Sequence, residues 1–230
     1  MEKSICYILS GLGADERVFD QIDFGDFTPV FIPWEPVKPN QSLESYVKQL
    51  SLHVKVPSPI LIGISFGGIV AQEMSFLFEN CSVLIISSVK SRLELPAMMR
   101  VSGKIGFHKL MPIQLLLKGN WINYWLFGTT TKTEKNKLTG ILEDSDPIFT
   151  KWAIHQITNW KRNKKTKSPI LHIHGDNDRI FKISNASPDF IIKGGSHLMT
   201  VSKPKELSIV IQDGLNKLAD KQAYSDFTNY

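Results

Sequence analysis

Three stretches far apart in the chain hold residue types able to do chemistry together: Gly63-Ile64-Ser65-Phe66-Gly67, Gly175-Asp176-Asn177-Asp178-Arg179 and Gly194-Gly195-Ser196-His197. A serine hydroxyl is a poor nucleophile at neutral pH until a histidine within hydrogen-bond reach takes its proton. A carboxylate must then hold that imidazole in the right tautomer and stabilise the imidazolium. The chain order Ser, Asp, His suits three successive loops at the carboxyl edge of one parallel sheet. Such a group attacks acyl carbonyls. G-x-S-x-G alone arises by chance in roughly one chain of this length in ten, so its weight comes from the acid and histidine that follow.

These side chains need elements to carry them. Ile60, Leu61, Ile62 and Ile64 form a short apolar run after a Pro-rich break, as a strand buried on both faces does. An almost all-apolar helical segment, Ile69 to Phe78, comes after the glycines. Strand, sharp turn and helix put Ser65 at an apex whose neighbours two before and two after must be small, and both are Gly. The N–H groups opening that helix face any anion formed beside Ser65.

Elsewhere Ile5 to Leu9, Phe27 to Trp34, Val83 to Ile86, the run from Ile170 to His174, and Phe190 to Ile192 read as strands. Ser42 caps a helix with Leu43, Tyr46, Val47, Leu50 and Val54 at three- and four-residue spacing, and Ser202 is expected to cap another through Leu207, Val210, Ile211, Leu215 and Leu218. The tail from Ala223 reads as frayed. Near-continuously apolar strands alternating with helices predict an α/β fold, a mostly parallel sheet covered on both faces.

The alternation breaks after Val89. From Leu95 to about Trp160 the patterns are helical. Pro96 and Pro112 suit first turns, Thr131-Lys-Thr-Glu134 is a capping box, and Asp146-Pro147 starts a helix. The block holds four of the five tryptophans (Trp121, Trp125, Trp152, Trp160) with Phe107, Phe127, Met98, Met99 and Met111. The expected organisation is a core of residues 1–90 and 165–230 and a helical cap, or lid, over 91–164. A lid must present apolar surface to the site beneath, and Trp125 and Trp152 are its candidate substrate contacts.

Length and composition bound the rest. The chain has 230 residues, 42% hydrophobic and 21% charged, enough for one domain with a sizeable core. No apolar run is long enough to span a bilayer, and the N-terminus enters a strand pattern rather than a signal peptide. Cys6 and Cys81 fall in predicted strands as buried free thiols, which points to a cytoplasmic location.

Net charge is +5, but Lys161, Arg162, Lys164, Lys165 and Lys167 account for it; the remaining Lys and Arg equal the Asp and Glu, 22 each. That run reads as a solvated loop, without the aromatic interleaving of a nucleic-acid patch. His172 and His174 alternate on one strand and share a face; with no third ligand at metal-site spacing they read as a satisfied core histidine and a turn residue rather than a metal pair. His53, His108 and His155 are given no role. No metal, cofactor, nucleic acid or membrane is expected as a partner, and nothing speaks to oligomeric state.

Gly63-Ile-Ser-Phe-Gly-Gly68, His174-Gly-Asp-Asn-Asp-Arg179 and Gly195-Ser-His197 resemble the three motifs of the α/β-hydrolase fold and span nearly the whole chain. The stretch Gly195-Ser-His-Leu-Met-Thr-Val-Ser-Lys-Pro-Lys-Glu-Leu207 more specifically resembles the small methylesterase and hydroxynitrile-lyase branch. The resemblance implies Ser65 as nucleophile, His197 as base and Asp178, the second aspartate of Gly-Asp-x-Asp, as acid, with Asp176 in the turn. It implies an oxyanion hole from the N–H groups of Leu12 and Phe66.

The family usually has His-Gly where this chain has Ser10-Gly11, so the loop's bracing must differ. Asp15, Glu16 and Arg17 follow in that loop and read as solvated surface by default, with a brace from one of them as the alternative. The implied activity is hydrolysis of a small carboxylic ester, apolar or aromatic in its acyl part. The alternatives are lyase chemistry on the same triad, whose relatives carry a lysine where Leu198 stands, and a small-molecule receptor on the same fold.

Overall fold

The structure, a computed structural model, describes residues 4–106, 112–161, 166 and 168–228, with side chains as far as residue 222. Phe107, His108, Met111 and four members of the basic run (Arg162, Lys164, Lys165 and Lys167) lie outside the described residues.

Six strands form one sheet: β1 (Ser4–Leu9), β2 (Phe27–Phe31), β3 (Ile60–Ile64), β4 (Ser82–Ile86), β5 (Ile170–Gly175) and β6 (Phe190–Ile192). Their order is β2-β1-β3-β4-β5-β6 and every pairing is parallel. The chain runs outward from β1 to β2, then returns to build β3 on β1's other side. Loops leaving β1 and β3 therefore diverge, and the crevice between their carboxyl ends is where open α/β sheets place their sites.

Successive side chains on each strand point to opposite faces. Ile8, Ile62, Leu84 and Ile173 join a core on one face with Leu207, Ile211, Leu215 and Leu218 of the C-terminal helix. Leu9, Leu61, Val83 and Ile85 join the other core, against α1 (Leu43–Leu50) and α2 (Phe66–Met74). Leu61, Ile62, Leu84 and Ile85 are wholly buried, each worth roughly 1.5–3 kcal/mol of apolar transfer.

Between β4 and β5 the described residues form α3 (Ala97–Ile105), α4 (Ile113–Leu116), α5 (Trp121–Phe127), α6 (Lys132–Glu143) and α7 (Pro147–Asn159). The Thr131–Glu134 capping box and the Asp146 cap with Pro147 in the first turn are both formed, as the sequence predicts. Pro96 and Pro112 sit one residue earlier than expected, at the caps of α3 and α4.

Two boundaries differ from expectation. β2 ends at Phe31 because Pro33 cannot donate to a ladder; Trp34 instead enters an aromatic cluster with Tyr46, Phe66 and Phe149. Ser202 does not cap the last helix. It closes the short α8 (Met199–Ser202), and α9 (Pro204–Thr228) starts with proline in its first turn, where a missing N–H costs nothing. The backbone of α9 stays helical past Ala223 to Thr228. Cys6 and Cys81 are buried free thiols, each pushed up to about 12 by burial.

Candidate active site

Ser65 follows the last residue of β3 and immediately precedes α2, with φ +52° and ψ −118°. That left-handed backbone is costly for a residue with a Cβ and persists only where its surroundings over-determine it. Here they do. The Ser65 N–H donates to Ile86 C=O at 2.9 Å, and Ser88 Oγ donates to Ser65 C=O at 2.7 Å. A Cβ on Gly63 would strike the Gly67 carbonyl, and one on Gly67 would strike the carbonyls of Leu9 and Ser10. The two glycines are thus required by close backbone approach, one to the other and the second to the end of β1.

His197 is carried by the loop after β6. Its Nε2 lies 2.9 Å from Ser65 Oγ, and its Nδ1 lies 2.8 Å from Asp178 Oδ2. The partners assign the protons: Nδ1–H donates to the carboxylate and Nε2 accepts from the hydroxyl. Asp178 and His197 are both buried. The other carboxylate oxygen, Oδ1, accepts the N–H groups of Ile180 and Phe181, each at 2.9 Å. Burial pushes the Asp178 carboxyl up, but His197, the hydrogen bond to it, His174 and the Phe181 N–H together hold it below the usual carboxylate range. It stays ionised at neutral pH beside the imidazole.

Asp176 has a different place. Its Oδ1 accepts the Gly194 N–H at 2.6 Å, while the N–H groups of Asp176 and Asn177 reach the carbonyls of Ile192 and Gly195 at 3.3 and 2.9 Å. A Cβ on Gly175 would strike the Gly195 carbonyl. The turn bearing Asp178 and the loop bearing His197 are therefore bound as one unit.

Behind Asp178 stand the two histidines of β5, where His174 is a strand residue and not the turn residue expected. His174 Nε2–H donates to Phe181 C=O at 2.7 Å, which leaves its Nδ1 to accept from His172 Nε2–H at 2.9 Å. His174 Nε2 is also 3.7 Å from Asp178 Oδ2. Burial, followed by the nearness of His174 and Lys90, lowers His172 to about 3, and burial likewise lowers His174. Both rings are neutral. The shared face was legible from their spacing; that they bond each other, with His174 bonding Phe181 C=O as well, was not. Among the described residues no cluster of His, Cys, Asp and Glu is arranged to hold a metal ion.

Phe127 and Phe181 present ring edges or faces to His197, each with centroids 5.5 Å away. Leu198 N–H donates to Phe127 C=O at 3.3 Å, so α5 abuts the loop bearing His197 directly. The two tryptophans expected as contacts sit on different helices of the block, Trp125 on α5 and Trp152 on α7. Trp152 is half-buried, donates Nε1–H to Gln41 C=O at 2.7 Å and packs on Tyr46, Phe66 and Phe149. Trp125 is 55% exposed on α5, with the Arg179 guanidinium 5.1 Å from its ring.

The loop after β1 comes close to Ser65: a Cβ on Gly11 would lie 3.7 Å from Ser65 Cβ. Ser10 braces it by donating Oγ–H to Ala14 C=O at 2.5 Å, and Trp34 Nε1–H donates to Gly11 C=O at 3.1 Å. Arg17 bridges Asp15 and Asp144, each at 2.8 Å, and Ser145 Oγ is 2.8 Å from Gly13 C=O. The loop is tied to the α6–α7 junction. Phe66 occupies the first position of α2, where helix geometry provides no intrahelical acceptor for its N–H. A cavity of about 370 Å³ lies against Ser10, Gly13, Trp34, Ser145 and Phe149; neither Ser65 nor His197 lines it.

No protein-family model matches the chain, and no curated protein does. Solved structures do. MenH from S. aureus superposes with a TM-score of 0.69 at 17% identity, over 95% of this chain and 96% of that one. A lipase-esterase related protein from Clostridium acetobutylicum gives 0.67 at 14% identity, over 93% and 96%. A thermophilic esterase from Thermogutta terrifontis gives 0.65 at 12% identity, over 94% and 90%. At these identities the likeness is one of fold, and it agrees with the parallel six-stranded sheet and its helices on both faces: the chain has the α/β-hydrolase fold.

Proposed function

We propose that this chain is a serine hydrolase that cleaves a small carboxylic ester through an acyl-enzyme. The observation that carries the reading is the unbroken hydrogen-bond path Ser65 Oγ, His197, Asp178, with the serine held at positive φ at the start of α2. In this reading Ser65 Oγ attacks the acyl carbonyl while His197 Nε2 takes its proton, and Asp178 stabilises the imidazolium. The N–H groups of Leu12 and Phe66 bind the oxyanion, each worth roughly a hundred- to a thousandfold in rate. His197 then protonates the departing alkoxide. It next deprotonates a water that attacks the acyl-serine, releasing the carboxylic acid and returning the proton to Ser65.

The helices between β4 and β5 serve as the cap over this site, with Phe127 beside the base. Leu198, standing directly after His197, favours hydrolysis over cyanohydrin cleavage, for which the resembling lyases carry a lysine there. Structures of esterases and other hydrolases among those of like fold support the substrate class. The test is covalent labelling with a fluorophosphonate probe alongside a panel of short acyl esters. Wild type should label and turn over, and Ser65→Ala should do neither. Ester turnover undiminished in Ser65→Ala would overturn the reading.

A further inference from the structure

The α4–α5 hairpin and α3 expose large apolar side chains that a soluble surface normally covers. Trp121 is 76% exposed, Leu115 61% and Ile122 47%, in addition to Trp125. Trp121, Ile122 and Trp125 fall on one face of α5, at i, i+1 and i+4. The hairpin that presents them is held by its two asparagines. Asn123, buried at its base, donates to the carbonyls of Leu115, Leu116 and Lys118, and Asn120 donates to Leu115 and Lys118. On α3, Met98, Val101 and Ile105 form a stripe at i, i+3 and i+7, exposed 80%, 53% and 70%. The opposite side of that helix packs so closely on α7 that a Cβ on Gly103 would strike the Thr158 carbonyl.

Charge says what covers these faces. From Leu95 to Thr133 the sequence has five basic residues, Arg100, Lys104, Lys109, Lys118 and Lys132, and no acidic one. Two further cations lie over the aromatic rings of α5, Arg179 on Trp125 and Lys135 on Tyr124. The next acid, Glu134, is engaged with the N–H groups of Thr130 and Thr131 in the α6 cap.

We propose that the α3–α5 surface docks on a lipid interface carrying anionic headgroups. Protruding tryptophans and aliphatic side chains beside Arg100, Lys104, Lys118 and Lys132, which form no ion pair with another described residue, are what insertion at a headgroup–acyl boundary requires. A symmetric contact with a second copy would set cations against cations with nothing to neutralise them. Docking of this kind lies on the membrane and does not span it, in keeping with the finding that no helix among the described residues is long and apolar enough to cross. It differs from the expectation drawn from sequence, in which no membrane partner figured. The surface adjoins the candidate site, since α5 ends at Phe127 beside His197.

The experiment is co-sedimentation of the full chain with vesicles of phosphatidylcholine alone and of phosphatidylcholine mixed with phosphatidylglycerol, at low and high salt. Binding should need the anionic lipid and weaken with salt. Trp121→Ser and Lys118→Glu should each weaken it roughly fivefold or more, with unchanged circular dichroism and unchanged turnover of a water-soluble ester. Ser65→Ala should bind as wild type does, so the result stands apart from the hydrolase reading. Absence of binding, equal binding to both vesicle types, or binding indifferent to both surface substitutions would overturn the proposal. So would self-association in sedimentation velocity that the two substitutions abolish, which would assign the face to a second copy.

Discussion

Asp178 faces two ways: Oδ2 meets His197 Nδ1 at 2.8 Å, while Oδ1 takes two backbone N–H groups from its own turn. An asparagine can keep the second set of contacts but offers no charge to an imidazolium, and its amide steers the ring toward the wrong tautomer. Asp178→Asn should fold normally and lose about a thousand- to ten-thousandfold in kcat on a short acyl ester. Asp176→Asn retains an acceptor for Gly194 N–H and should stay within about threefold of wild type. Steady-state kinetics of the two variants distinguish them, and equal losses would mean that the carboxylate has been misassigned.

The glycines around Ser65 should be intolerant of even one methyl. Gly63→Ala and Gly67→Ala each drive a Cβ into backbone carbonyls that cannot move without shifting β1 or α2. Each should cost about 3 kcal/mol or more in urea unfolding, or fail to accumulate as folded protein. Gly140 is the control. It lies inside α6 with nothing within 4 Å of a built Cβ, so Gly140→Ala should stabilise by about 0.5–1 kcal/mol.

Ser10 occupies the place where the resembling family carries histidine, and its hydroxyl ties the loop through Ala14 C=O. Ser10→Ala leaves that acceptor without its donor, at about 1–3 kcal/mol in unfolding free energy. If the loop supplies Leu12 N–H to the oxyanion, kcat should fall while KM changes little, and burst-phase acylation should slow. A purely structural brace would lower stability alone.

His172 should make stability depend on pH. Burial lowers it to about 3 from an ordinary 6.5, so between those values the unfolded chain binds a proton that the native state refuses. Native stability is therefore fully present above about pH 6.5 and declines as pH falls toward 3. His174, also lowered, acts in the same direction. Thermal melting from pH 7 to pH 4 should show a steeper fall for wild type than for His172→Gln, whose amide can still donate to His174 Nδ1 and does not titrate. Parallel curves would refute the assignment.

Much of this was legible in the sequence because it rests on local rules. Apolar runs near Ile62 and Ile85 mark strands with both faces covered, Thr131 and Asp146 mark helix starts, and glycines two before and two after Ser65 mark a tight elbow. These features need only the residues adjacent to them. That Ser65, Asp178 and His197 can converge follows from a parallel sheet, since the loops after its strands leave at the same edge.

What stayed out of reach depends on residues that meet only through folding. Nothing in their immediate chemistry separates Asp176 from Asp178, and only the resemblance told them apart; in the fold Gly194 approaches one carboxylate and His197 the other. The pairing of His172 with His174, the place of Trp152 against Tyr46 and Phe66, and the clamp from Arg17 to Asp144 are likewise tertiary facts. So is the outward turn of Trp121, Ile122 and Trp125, because composition counts apolar side chains without saying which way a helix faces. The primary structure determined the elements and the chemical groups, while packing of the α6–α7 junction, the base loop and the sheet edge decided which groups touch.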